Sequence, residues 1–305
     1  NKGETDAKYE EWIEKCKKLV AKSSLFEFKQ SIYDMVNDFE KIKVDLTQVK
    51  PRVGIVGEIL IKYHPFGNNN IVKVLEQEGT EVVAPDFMGF LKYICANKIT
   101  THELLNTSKK EAIIYKLALD FINLCERDAK NALASSKKGY LPPCDIFALE
   151  ENVKDILSTG NQTGEGWFLT GEMIEYIKHD IPNIVCVQPF ACLPNHVVGK
   201  GVIKSIREKY PYANISPVDY DPGASETNQI NRIKLLTTVA KDNIKKNIRL
   251  KTKIIQCIEC GKWIEVDKKD NETCRCKECL REHKRMLTKL RVQKHRTKQV
   301  VTQPE

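Results

Sequence analysis

No stretch of this 305-residue chain approaches the roughly 18 consecutive apolar residues that a bilayer-spanning helix needs, so no membrane span is expected. The opening residues, NKGETDAKYEEW, are polar and acidic and lack the apolar centre of a secretory signal. They begin at Asn1 rather than methionine, as a fragment or a processed product would. Neither G-x-G-x-x-G nor G-x-x-x-x-G-K-S/T occurs, so a dinucleotide fingerprint and a Walker A loop are both absent and no ATP site is expected. No internal repeat and no low-complexity tract is present. Most of the chain also lacks an excess of either charge. From Lys245 to Glu305 there are 18 Lys and Arg against 8 Asp and Glu, which leaves 31 against 33 for all the rest. The formal +8 therefore belongs to the tail, and a nucleic-acid partner is expected there or nowhere.

Cysteine is plentiful. Of eleven, five (Cys257, Cys260, Cys274, Cys276 and Cys279) fall within 23 residues, and six are scattered. An odd count, clustered pairs and no signal segment favour reduced thiols in a cytoplasm, some of them binding metal, over a disulfide framework. Hydrophobic residues at 41% and charged residues at 30% fit a folded globular chain.

Residues 5–45 place apolar side chains three and four apart with no Pro or Gly, which predicts helices. After Pro51, short β-branched runs (RVGIVGEIL, TEVVAPDF, NIVCVQPF and ANISPVDYD) alternate with helical patterns. That order predicts an α/β fold: a doubly wound parallel sheet, as in a flavodoxin- or Rossmann-like lobe. The expected organisation is a helical segment over 1–50, the lobe over 51–248, and a small zinc-ribbon-like basic tail over 249–305. Ligand chemistry in such sheets sits at the carboxyl ends of the strands, so the loops there carry the candidates.

In the first of these loops, Asn68 and Asn69 precede a helix whose free N–H groups could hold an anionic cofactor group; the ordinary alternative is a polar turn with an Asn cap. In QPFACLPNHVVGKG, Cys192 is followed four residues later by His196. Such a Cys is a reactive thiolate, a metal or cluster ligand, or an inert buried thiol; with His196 it also permits nucleophilic catalysis, for which the sequence marks no orienting carboxylate beyond Asp219 or Asp221 at the next strand end. The loop TGNQTGEGW is either a connector capped by Asn161 or Thr163, or a ligand-facing loop in which Glu165 serves acid–base or hydrogen-bonding work.

Four runs in order, GIVGEILIKYHPFGNNN, TGEGWFLTGEM, QPFACLPNHVVGKG and DYDPGASETNQINRIKL, resemble the C-terminal part of the large 2-hydroxyacyl-CoA dehydratase activases, itself similar to the dehydratase D-component and double-cubane reductase family. The resemblance covers roughly 1–248. It implies paired Rossmann-like lobes around a 4Fe-4S-type iron–sulfur cluster, low-potential electrons from an ATP-driven partner of actin-like fold, and reduction of a substrate such as a 2-hydroxyacyl-CoA. It carries over Cys192 as a cluster ligand. The second cysteine-bearing lobe and the actin-like ATPase are then expected in trans.

In the tail, Cys257 and Cys260 form one C-x2-C pair and Cys276 and Cys279 a second, fifteen residues apart. Two such turns make a tetrahedral S4 site, which suits Zn(2+) or, as in rubredoxin, iron. Cys274 could replace Cys276 as ligand. The basic run LREHKRMLTKLRVQKHRTKQVV that follows Cys279 begins a helix, which is either a solvated face or a phosphate-tracking arm. It has no Phe, Tyr or Trp for base stacking.

Overall fold

A computed structural model of the chain describes residues 3–45, 49–221, 223, 225–245, 252–260, 263–267, 275, 278–283 and 285–286. Two compact units are present: Asn1–Ile177 with Ile181–Asp242, and Lys178–Asp180 with Asn243–Glu305.

The first unit is α/β. Its sheet has four strands, β1 (Arg52–Gly57), β2 (Glu81–Val83), β3 (Asn183–Pro189) and β4 (Asn214–Tyr220), in the order β2-β1-β3-β4. Every neighbouring pair is parallel. The central strand β3 reads as a continuous apolar run because both its faces are covered. Its side chains alternate between two separate cores. Ile184 and Cys186 pack with α8 (Gly166–Lys178) and α9 (Ile203–Lys209), while Val185 and Val187 pack with α4 (Ile71–Gln77) and α10 (Glu226–Lys245). Helices thus cover both faces, as the alternating pattern predicts.

The N-terminal helical pattern resolves into α1 (Glu4–Lys22) and α2 (Leu25–Lys41), separated where Ser23 turns left-handed and Ser24 caps the next helix by accepting from the Glu27 N–H. A long helical hairpin, α5 (Met88–Leu105) and α6 (Lys109–Ala134), and the short α7 (Ile146–Val153) surround a third core built on Tyr93, Trp167 and Phe168.

Two local features differ from the sequence expectation. The residues after β1 form an additional short helix, α3 (Ile59–Tyr63), capped by Glu58, whose carboxylate accepts from the Ile61 N–H at 2.8 Å. Residues 191–201, expected as one loop, wind into a π-helical turn over Asn195–Lys200, with the Gly201 N–H donating to the His196 carbonyl at 2.8 Å. The wider turn lets Asn195, Val198 and Gly199 all be buried together, which a period of 3.6 residues does not reveal.

In the second unit, β5 (Thr252–Gln256) and β6 (Trp263–Asp267) form an antiparallel pair with Thr252 opposite Asp267. Both strands lie within the 249–305 segment expected as the Cys-rich tail.

Candidate functional site

In the order β2-β1-β3-β4, the crossovers leave β1 and β3 in opposite directions, so their carboxyl ends form the topological switch point at which such sheets place ligand sites. The backbone is very close there. Gly57 ends β1 at φ +138°, and a Cβ on it would overlap the Val187 carbonyl of β3. Only glycine fits both the dihedral and the approach. The Glu58 N–H then donates to that same carbonyl at 2.9 Å.

Cys192 sits just beyond β3, half-buried. Its sulfur accepts from the Asn195 side-chain amide, Nδ2 to Sγ 3.1 Å. The other hydrogen of that amide goes to Glu165 Oε2 at 3.0 Å, and Glu165 Oε1 accepts from the Ile59 N–H at 3.1 Å, at the start of α3. The buried Glu165 therefore links the loop after β1 to the cysteine loop through Asn195. Gly166 makes this aim available: at φ +47° its missing Cβ leaves room for the Asn161 carbonyl and the Tyr93 hydroxyl.

A second chain of bonds approaches from the other side. The Asn69 amide donates to Gln229 Oε1 at 2.8 Å, the Gln229 amide to the Asp219 carbonyl at 3.2 Å, and the Gln188 amide to Asp219 Oδ1 at 2.6 Å. His196 Nδ1 lies 3.5 Å from the Gln188 amide and 2.9 Å from the Cys192 carbonyl oxygen. His196 thus faces the backbone of Cys192, while the sulfur belongs to Asn195. Asp219 is held by Gln188.

Below this layer, Lys62 of α3 donates to both oxygens of Glu172 on α8, at 3.0 and 3.1 Å, with both side chains nearly inaccessible. Its ammonium also lies 5.7 Å from the Phe168 ring centroid. Burial raises the Glu172 carboxyl above its ordinary value; Lys62 pulls the other way, and Asp86 and Glu165 add to the rise.

Of the sequence candidates, Glu165, Cys192 and His196 converge here, and Asn69 joins from a distance through Gln229. Asn68 is used structurally: its amide donates to the Ile61 carbonyl at 2.7 Å and its Oδ1 accepts from the Ile71 N–H at 3.2 Å, which fastens the turn into α4. Sequence reasoning passed over Asn195, Gln188, Lys62 and Glu172. Only Asn195, three residues after Cys192, had a signal in its spacing.

The fully buried Gln188 Oε1 and Asn195 Oδ1 have no hydrogen-bond partner among the described residues. For an iron–sulfur cluster, Cys192 fits as a single ligand: a half-buried thiol with an N–H directed at its sulfur. Cys186 and Cys144 of this unit do not fit. Cys186 lies fully inside the sheet core, where burial pushes its thiol up to about 12. Cys144 is likewise raised by burial. The hydrogen-bond network at the mouth includes one cysteine sulfur, so a cluster here needs the rest of its ligands from elsewhere.

In the second unit, the sulfurs of Cys257, Cys260 and Cys279 lie within 4.8 Å of one another, close enough for one metal ion. Glu259, between the first two, accepts from Arg275 at 2.6 Å. Cys274 and Cys276 lie outside the described residues, as does most of the basic run after Cys279. No helix among the described residues is long and apolar enough to cross a membrane.

Compared with protein-family models, curated proteins and solved structures, the chain matches none.

Proposed function

We propose that the parallel-sheet unit is one lobe of an ATP-dependent iron–sulfur reductase or 2-hydroxyacyl-CoA dehydratase–activase system, with Cys192 as its single cluster ligand. The observation that carries this is the placement of Cys192: at the carboxyl end of the central strand, half-buried, its sulfur bonded by a fully buried amide that Glu165 holds in place. The strand order 2-1-3-4 suits a flavodoxin-like lobe, whose ligands lie at this switch point. When bound, the cluster supplies low-potential electrons. The protein's own part is to orient the sulfur through Asn195, to exclude water by burying Glu165, Gln188 and Asn195, and to present the imidazole of His196 beside the thiol loop. A second cysteine-bearing lobe, an actin-like ATPase and an acyl-CoA or similar substrate are the partners this role requires, and a reducing compartment such as the cytoplasm suits its thiol chemistry.

Anaerobic reconstitution with iron, sulfide and an excess of a small thiol that can stand in for the ligands of the second lobe, wild type beside Cys192→Ala, tests the proposal. Iron with acid-labile sulfide in the wild type, lost in the variant while tail metal remains, supports it. Metal confined to the tail in both proteins overturns it.

A second reading rests on the three converging cysteines of the tail. Here the tail is a zinc ribbon completed by Cys276, and the sheet unit is a non-catalytic scaffold that presents a basic arm to nucleic acid or protein. Binding to duplex DNA that weakens steeply with salt would favour it.

A further inference from the structure

Among the described residues, the parallel sheet ends at β4, which pairs with β3 on one side. Consecutive residues of a strand turn their backbone groups to opposite sides. The Asn214 N–H donates to the Pro182 carbonyl, and the Tyr220 carbonyl accepts from the Phe190 N–H. The even-numbered residues of β4 therefore face β3. Ile215, Pro217 and Asp219 turn their carbonyls to the open side. Such a row of acceptors on a sheet edge is a template for another strand.

Each of the three carbonyls already has a donor. Arg207 Nη2 donates to the Ile215 carbonyl at 2.8 Å, Arg232 Nη1 to the Pro217 carbonyl at 3.0 Å, and Gln229 Nε2 to the Asp219 carbonyl at 3.2 Å. Arg207 lies on α9, whereas Gln229 and Arg232 lie on α10. These helices cover opposite faces of the sheet, so the caps reach the edge from both sides. The middle outward position is Pro217, which has no N–H to give. At the other end of the sheet, β2 is only three residues long, which blunts that edge by length.

Without its caps the β4 edge is complementary to itself. A second β4 running antiparallel, about a two-fold axis through Pro217, sets Ile215 opposite Asp219 of the other copy. Opposed outward residues then exchange two bonds each, except at the proline. In the chain as it stands, an approaching strand meets two guanidinium groups, engaged carbonyls and an interrupted row of donors. We infer that Arg207, Arg232, Gln229 and Pro217 close the β4 edge to strand addition, so that this unit meets partners through its side chains and not by extending its sheet. The inference is independent of the cluster proposal, since Arg207 and Arg232 supply no atom to the Cys192 network. Gln229 does belong to that network, and the test leaves it in place.

The test compares the full-length wild type with the triple variant Arg207→Met, Pro217→Val and Arg232→Met. Methionine keeps an apolar stem and removes the donors, and valine restores the missing N–H. Sedimentation velocity over a range of concentrations reports association, hydrogen exchange reports the amides of residues 215, 217 and 219, and circular dichroism controls for folding. In the wild type, the outward amides of Ile215 and Asp219 should exchange fast at every concentration. The triple variant should associate at least about tenfold more tightly, with its outward amides protected as concentration rises. Arg207→Lys, Pro217→Val and Arg232→Lys together keep a cation over each carbonyl and should behave as the wild type. Should the methionine variant fail to fold, Arg207→Met with Pro217→Val is read by the same measurements. A folded variant that associates no better than the wild type, or lysine variants that associate as tightly as methionine ones, would overturn the capping role. Concentration-dependent protection of the Ile215 and Asp219 amides in the wild type would show the edge to be open.

Discussion

Cysteine is placed in two different ways in this protein. In the tail unit, Cys257 and Cys260 are brought together by a turn of four residues, and Cys279 joins them from the start of a helix within the same short segment. At the sheet mouth, Cys192 is placed by groups from across the first unit: Asn195 on the π-helical turn, Glu165 before α8, Ile59 at α3, and Gln188 on β3. The first arrangement is local, and a metal ion could complete it. The second is tertiary and depends on the sheet being formed. The comparison teaches that a cysteine's spacing reports chemistry only when its partners are also close in sequence.

Metal removal should separate the two regions most sharply. Chelation, or Cys257→Ser with Cys260→Ser, is expected to abolish folding of the tail, since structural zinc in small modules supplies on the order of 10 kcal/mol. Calorimetry should then show the sheet unit's transition unchanged. Coupled loss of both transitions would end the claim that the tail is held locally.

The mouth should fail through its long-range contacts instead. Lys62→Met leaves Glu172 buried without its partner and should cost about 3–5 kcal/mol by denaturant unfolding, whereas Lys62→Met with Glu172→Leu should recover most of that loss. A double variant as unstable as the single one would show that the ion pair is not the cause.

Glu165→Ala is a smaller change. It strips the Asn195 amide and the Ile59 N–H of their acceptor, with an expected loss of about 1–3 kcal/mol. The Cys192 alkylation rate should also change, because the amide that bonds the sulfur is released. An unaltered rate would separate Glu165 from the cysteine.

A further effect appears only in alkali. Burial holds the Cys186 thiol protonated to about 12, against 9.0 when exposed. The raised value means that stability is complete below pH 9 and is lost as pH rises towards 12, because only the unfolded chain ionises over that interval. Urea midpoints should decline over that interval, less steeply in Cys186→Ala. Equal slopes would assign the decline to the buried tyrosines, Tyr93 among them, whose hydroxyl burial also raises to about 12.

Much of the frame was legible. The β-branched runs at 52–57, 183–189 and 214–220 are strands, and the helical periods between them are helices. The candidate residues were legible in part. Glu165 was found because glycines flank it, and Cys192 because a thiol stands at a strand end. Their connection was not, since Asn195 is thirty residues from Glu165 and the π-helical turn that buries it has no period to detect. For Asn68 the sequence left a ligand-facing amide and a capped polar turn both open, and the structure has the turn, because an amide beside a free carbonyl and a free N–H bonds to both.

By itself the sequence determined what depends on neighbours along the chain: helix and strand periods, the basic tail, and the paired cysteines, because propensity, charge and a C-x2-C turn act over a few residues. Tertiary structure alone decided which side chains meet at the mouth, that Lys62 and Glu172 are buried as a pair, and that Arg207, Arg232 and Gln229 cap the outward carbonyls of β4. Those outcomes depend on which strands pair and which helical faces are covered, and they are set by burial of the whole unit.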